Sequence, residues 1–188
     1  MMKTTFATIT EAATSRLQQR LSGTWKPTSK NYIWKISDPT IKGDGGEEIV
    51  GGIFQLLFDE IYDGFTVTVK VVGGDKGDYD VIITVQELDI TIKIEVKTAT
   101  LDSKNKFQFN GLKKHIDYDY AFGLGVRPDD FLFIIQPRSY LEDTLTTNMN
   151  RDVIGSYKLS VPTNNCKELD PINFRERLEE LELVRGIH

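Results

Sequence analysis

Glu95 and Lys97 stand two residues apart in Ile90-Thr91-Ile92-Lys93-Ile94-Glu95-Val96-Lys97, where apolar and polar residues alternate strictly. Such alternation marks a strand with one buried face. Ile92, Ile94 and Val96 then point into a core, while Glu95 and Lys97 share the other face with Thr91 and Lys93. A carboxylate and an ammonium so placed have backbones roughly 7 Å apart, near enough to serve one metal-and-phosphate site. A solvated face with a fortuitous Glu-x-Lys would read the same on this strand alone. More acid lies upstream. Asp78 and Asp80 end a polar turn before apolar Val81 to Val85, and Glu47 and Glu48 open an apolar helical stripe.

The elements that must position these groups follow from periodicity. Thr8-Ile9-Thr10-Glu11 has capping-box spacing and predicts a helix to Leu21. Pro27 and its polar neighbours read as a loop, and Tyr32 to Ile36 as a short extended piece. Lys42-Gly43-Asp44-Gly45-Gly46 reads as the opening of a second helix, from about Glu47 to Tyr62. Val50, Phe54, Leu57 and Ile61 form its inner stripe. Glu47 falls on the inward side and Glu48 on the polar side; near a helix start, both would also suit the dipole. Strands over 65–71, 81–85 and 88–98, joined by short turns, predict an antiparallel meander. Its last hairpin brings the Asp78/Asp80 end near Glu95 and Lys97, and register alone leaves the choice of aspartate open. Gly111 to Asp117 reads as helical and Tyr120–Val126 and Phe131–Ile135 as buried strands, so a strand-helix-strand crossover makes the sheet mixed. Tyr157 to Val161 reads as a further strand. Asp170-Pro171 starts an amphipathic helix with Phe174, Leu178, Leu181 and Val184 on one side.

The chain has 188 residues, with 39% apolar and 27% charged, ordinary for a soluble globular protein. That length fits one domain, 1–188: an N-terminal basic segment 1–42, a core 43–137 and an extension 138–188. No apolar run approaches the ~20 residues of a membrane span, and residues 1–10 lack a secretory pattern, so a cytoplasmic protein of prokaryotic or phage-like type is the expectation. One cysteine and two histidines leave little material for disulfide or zinc chemistry. The net charge of −5 is unevenly spread. Residues 1–42 carry seven basic and two acidic groups, 43–96 three and twelve, and 97–138 seven and five. An acidic block between basic ones suits carboxylates holding a cation beside lysines holding a polyanion. Lys104, Lys106, Lys113, Lys114 and Arg127 are the candidate phosphate contacts. His115 reads as a surface or packed residue.

In Gly77-Asp78-Tyr79-Asp80-Val81-Ile82-Ile83 and Ile94-Glu95-Val96-Lys97-Thr98-Ala99 the chain resembles the PD-(D/E)xK nuclease superfamily, across roughly residues 42–137. Gly46-Glu47-Glu48 and Phe107-Gln108-Phe109-Asn110 support the resemblance more weakly. It departs in having no proline before the aspartate and two aspartates competing for one role. Asp80, directly before the strand, is preferred to Asp78. The resemblance implies an α/β, restriction-endonuclease-like core whose mixed central sheet is flanked by helices. It also implies that Asp80, Glu95 and the Val96 carbonyl hold Mg²⁺, with Mn²⁺ as substitute, oxygen donors being the kind these ions take. Glu47, or Glu48 in its place, would ligate a second ion or its water. Lys97 would stand beside the attacking water or the developing phosphorane charge, and Gln108 resembles a supporting position. The implied activity is that of a type II restriction endonuclease, a homodimer cutting double-stranded DNA, whose partner would be a methyltransferase acting on the same site. A structure-selective phage or repair nuclease, and a non-catalytic nucleic-acid-binding module, are the alternatives.

Overall fold

The computed structural model describes residues 25–72, 79–113, 117–144, 150–153 and 156–184. The helix expected over 8–21, the Asp78 alternative, Lys114 and His115 lie outside the described residues. Among those described, the order is α1 (Tyr32–Ile36), α2 (Pro39–Ile61), β1 (Val67–Val71), β2 (Val81–Val85), β3 (Ile90–Thr100), β4 (Lys106–Lys113), β5 (Tyr120–Val126) and β6 (Phe131–Pro137). There follow α3 (Arg138–Thr144), β7 (Asn150–Val153), β8 (Ser156–Pro162), β9 (Lys167–Glu168) and α4 (Pro171–Glu180). Six strands form one sheet in the order β1-β2-β3-β5-β6-β9, and β4-β8-β7 form a second. The β3–β5 pair is parallel and the others antiparallel. This is the mixed, helix-flanked α/β architecture expected from the sequence. No helix among the described residues is long and apolar enough to cross a membrane.

Three local expectations are corrected. Tyr32–Ile36 is helical, not extended. The second helix begins at Pro39, with the Asp38 carboxylate accepting from the Ile41 N–H at 3.0 Å, so Glu47 and Glu48 lie two turns in, beyond the reach of the N-terminal dipole. Lastly, the crossover between parallel β3 and β5 is not helical over Gly111–Lys113, which continue β4. Asn110-Gly111 form a bulge there: Phe109 faces Leu159 while Leu112 faces Tyr157, and Gly111 adopts φ +80°. Two residues on β4 thus oppose one, Lys158, on β8, a device that re-aims a strand. A side chain at that φ is strained, hence the glycine.

The six-stranded sheet is covered on both faces. On one, Val50, Phe54 and Phe58 of α2 and Phe174 and Leu178 of α4 bury Ile92, Ile94 and Val96, and the Phe54 and Phe174 ring centroids lie 5.1 Å apart. On the other, Phe107 and Phe109 of β4 lie over β5. A Cβ at Gly123 would come within 2.8 Å of Phe109, and one at Gly125 within 2.6 Å of Phe107. The Gly-x-Gly alternation of β5 is what lets the two sheets approach.

Candidate active site

Pairing between β2 and β3 ends at Val81 and Ile94. Beyond it, β3 runs on without a β2 partner among the described residues, and Asp80 turns in beside it. Its N–H donates to the Ile94 carbonyl at 2.9 Å, and its Oδ2 accepts from the Val96 N–H at 2.7 Å. Side chain thus takes over where the backbone ladder stops. The N–H and C=O of one strand residue point to the same side, so the Val96 carbonyl opens onto the notch that Asp80 borders.

Lys97 ties the notch together. Its Nζ lies 2.6 Å from Glu95 Oε1 and 3.6 Å from Asp80 Oδ2. Glu95 is only 5% exposed, a buried carboxylate held by a partner, as burial of charge demands. Burial works against the Lys97 charge, but Glu95 and Asp80 outweigh it and hold the ammonium above its ordinary value. Burial also pushes the Glu95 carboxyl up, against the pull of Lys97. The two directions are compatible. One ammonium among several carboxylates keeps its own proton firmly and cannot neutralise all of them.

Glu47 reaches the same field from α2. Burial first, then the like charges of Asp80 and Asp44, push its carboxyl up to about 7. The helix that carries it is pressed onto β3 at Gly46, where an added Cβ would lie 1.8 Å from Thr98 Oγ1. That hydroxyl is buried without a hydrogen-bond partner.

The sign of the Glu47 effect is testable. A carboxyl whose folded pKa exceeds its unfolded value of 4.5 keeps its proton in the native state while the unfolded chain has lost it. Stability therefore falls as pH rises from about 4.5 to 7 and levels off above. Glu95 adds to the same slope. Glu47→Gln is expected to flatten it, stabilising the protein at pH 7.5 by on the order of 1 kcal/mol after allowance for solvent screening, with little effect at pH 4.5. Denaturant midpoints at the two pH values check this.

The other expected site residues are placed as follows. Glu48 is exposed, on the side of α2 away from the core stripe. Gln108 is hydrogen-bonded within the second sheet and its turn: its Nε2 donates to Asp102 Oδ2 at 3.1 Å and to Ser160 Oγ at 3.0 Å. Arg127 is paired with Asp130, which receives both its Nε and an Nη. Lys104 and Lys106 sit at the β3–β4 turn, at the opposite end of β4 from Lys113. Lys113 is exposed, and its charge reaches Glu95. Sequence reasoning missed Gly46, Thr98 and Gly111; the last, 3.9 Å from Lys97 Cε by its would-be Cβ, was signalled by the dipeptide Asn110-Gly111, a common bulge and turn pair.

The donor set suits a hard divalent cation in kind: two carboxylates and a main-chain carbonyl, with a third carboxyl close by. In number it is sparse, since among the described residues no group of three or more His, Cys, Asp or Glu is gathered at ligand spacing. That is compatible with Mg²⁺, which commonly takes one or two carboxylates and completes its shell with water and substrate oxygens.

No protein-family model matches the chain, and no curated protein does. Among solved structures, the chain is similar to a bacterial homing endonuclease at 18% identity and TM-score 0.43, covering 68% of this chain and 77% of that one. It is also similar to a nuclease from a fusselovirus at 14% identity and TM-score 0.41, covering 76% of this chain and 90% of that one.

Proposed function

We propose that the protein is a Mg²⁺-dependent endonuclease of the PD-(D/E)xK type, hydrolysing phosphodiesters of duplex DNA as a type II restriction enzyme. The observation that carries this reading is the notch itself, where Asp80 clasps the Val96 N–H and Lys97 bridges Asp80 and Glu95. A polar face with no task has little reason to bury a carboxylate. A bound divalent ion would supply charge neutralisation on the phosphate and a more acidic water. Asp80, Glu95 and the Val96 carbonyl would hold it. Lys97 brings an ammonium that stays protonated, a point charge for the extra negative charge of the phosphorane. Glu47, titrating near 7, is matched to accept a proton from water at neutral pH. Acting on both strands at one place takes two such sites, which a homodimer delivers. Restriction activity would in turn need a methyltransferase protecting the same sequence in the host.

Incubation with plasmid DNA and Mg²⁺ or Mn²⁺, followed by fragment mapping, tests the proposal. Discrete fragments mean sequence-specific restriction. Cleavage confined to branched substrates would instead mean a structure-selective nuclease, and binding without cleavage in either metal would mean a non-catalytic module. Undiminished activity in both Asp80→Ala and Lys97→Ala would sink the site assignment.

A further inference from the structure

The outward face of β4 and β8 is polar, and neither strand contains an Asp or Glu. Phe107, Phe109 and Leu112 turn inward from β4, and Leu159 and Val161 from β8. By alternation Lys106, Gln108 and Asn110 share the outward face with Lys158 and Ser160, and the bulge at Gly111 adds Lys113, the residue after buried Leu112. The Gln108–Ser160 hydrogen bond fixes the middle of this ribbon across the two strands. Asp102 borders this face: its Oδ1 accepts from the Lys104 and Lys106 N–H groups of the turn and its Oδ2 from Gln108 Nε2. Asn110 and Lys113 are exposed, and Lys113 lies near enough to the notch for its charge to reach Glu95. The lysines of these two strands, with one carboxylate at the turn end and a candidate phosphodiester-cleaving notch near Lys113, make the face complementary to a polyanion.

Dimensions favour a duplex. A major groove about 12 Å wide and about 8.5 Å deep admits two β-strands side by side, and β4 with β8 forms the free margin of the β4-β8-β7 sheet among the described residues. Sheets stacked face to face lie roughly 10 Å apart, so a ribbon on the groove floor leaves the flanking phosphates near the level of β3. We propose that the outward β4–β8 face docks in a groove of duplex DNA, with Lys113 and Lys158 on phosphates and Asn110 on a base edge, where asparagine suits adenine. This rests on the nuclease reading and says which surface delivers the DNA to it.

The test is duplex binding by fluorescence anisotropy in calcium over a range of salt concentrations. Surface replacements of this kind seldom disturb folding. Lys113→Ala with Lys158→Ala is expected to weaken binding to all sequences and to lower the magnitude of the log–log salt slope by about 2, near 0.9 per lost phosphate contact. Asn110→Ala is expected to keep the slope and lose about ten-fold or more in discrimination between duplexes. Lys70→Ala on β1 is the control and should match wild type. An unchanged slope and affinity in the double variant, or an equal loss in Lys70→Ala, overturns the proposal. So does a double variant that alters sedimentation of the free protein while DNA affinity holds, because the face would then be a contact between copies. A wild type that binds with the predicted slope but cleaves with no metal retires the nuclease reading and leaves the docking surface standing.

Discussion

Lys97→Met is expected to reduce DNA cleavage by at least about 10²–10³-fold, the usual cost of removing one preorganised charge from a transition state. Its effect on stability should depend on pH, which a purely catalytic role would not produce. The Lys97 ammonium is the 2.6 Å partner of a carboxylate that is 5% exposed, and stranding a buried charge costs about 3–5 kcal/mol. Glu95 can escape by taking up a proton, and burial has already moved it in that direction. At pH 5 the variant should therefore be close to wild type in stability, and at pH 8 clearly weaker. Adding Glu95→Gln should restore stability at pH 8 while leaving cleavage abolished. Lys97→Arg is not expected to rescue, because a planar fork cannot replace a compact point charge between Asp80 and Glu95. Cleavage rates near wild type in Lys97→Met would remove the residue from the mechanism.

The second large effect is expected from a single methyl group. Gly46→Ala would place a Cβ 1.8 Å from Thr98 Oγ1 and 3.1 Å from Thr98 Cβ. Helix α2 must lift from β3, and Glu47, the next residue, lifts with it. Overpacking of this kind costs about 1–3 kcal/mol, and a displacement near 1 Å at a catalytic group can cost on the order of 10²-fold in rate. Thr98→Ala removes the clashing oxygen, and because that hydroxyl has no partner its loss alone should be mild. The pair should therefore be non-additive, with Gly46→Ala/Thr98→Ala more stable and more active than Gly46→Ala by itself. Denaturant midpoints and cleavage rates of the four proteins give the coupling energy, expected between about 1 and 3 kcal/mol. Strict additivity would mean that the contact does not set the depth of the helix.

The strands were legible because their alternation is clean. Ile92, Ile94 and Val96 bury as expected, and Asp170-Pro171 caps α4 as its sequence announces. The start of α2 was not legible. Gly43, Gly45 and Gly46 look like a loop, since glycine in a helix costs up to about 1 kcal/mol each. Yet Gly45 gives room to the Trp34 ring and Gly46 to Thr98; they are contact points of a helix, and that distinction is tertiary. The end of β4, Gly111–Lys113, was misread for a related reason, although β8 falls where a strand was expected. Asn110-Gly111 shifts the parity of β4, so that odd-numbered Phe107 and Phe109 and even-numbered Leu112 all face inward. A reading by fixed period loses a strand at such a step and finds a helix instead. At the site, sequence placed Asp80, Glu95 and Lys97 in one neighbourhood but could not show that Arg127 and Gln108 were already engaged.

The early end of β2 has a consequence for solubility. A strand that outruns its neighbour offers unpaired N–H and C=O groups to any passing chain, a common start of edge-to-edge aggregation. Asp80 takes the first of those donors, the Val96 N–H, and places a negative charge where an intruding strand would have to lie. It thus doubles as a gatekeeper. Asp80→Ala should then show concentration-dependent self-association by light scattering, a defect that Glu95→Gln, which leaves the edge guarded, would not share.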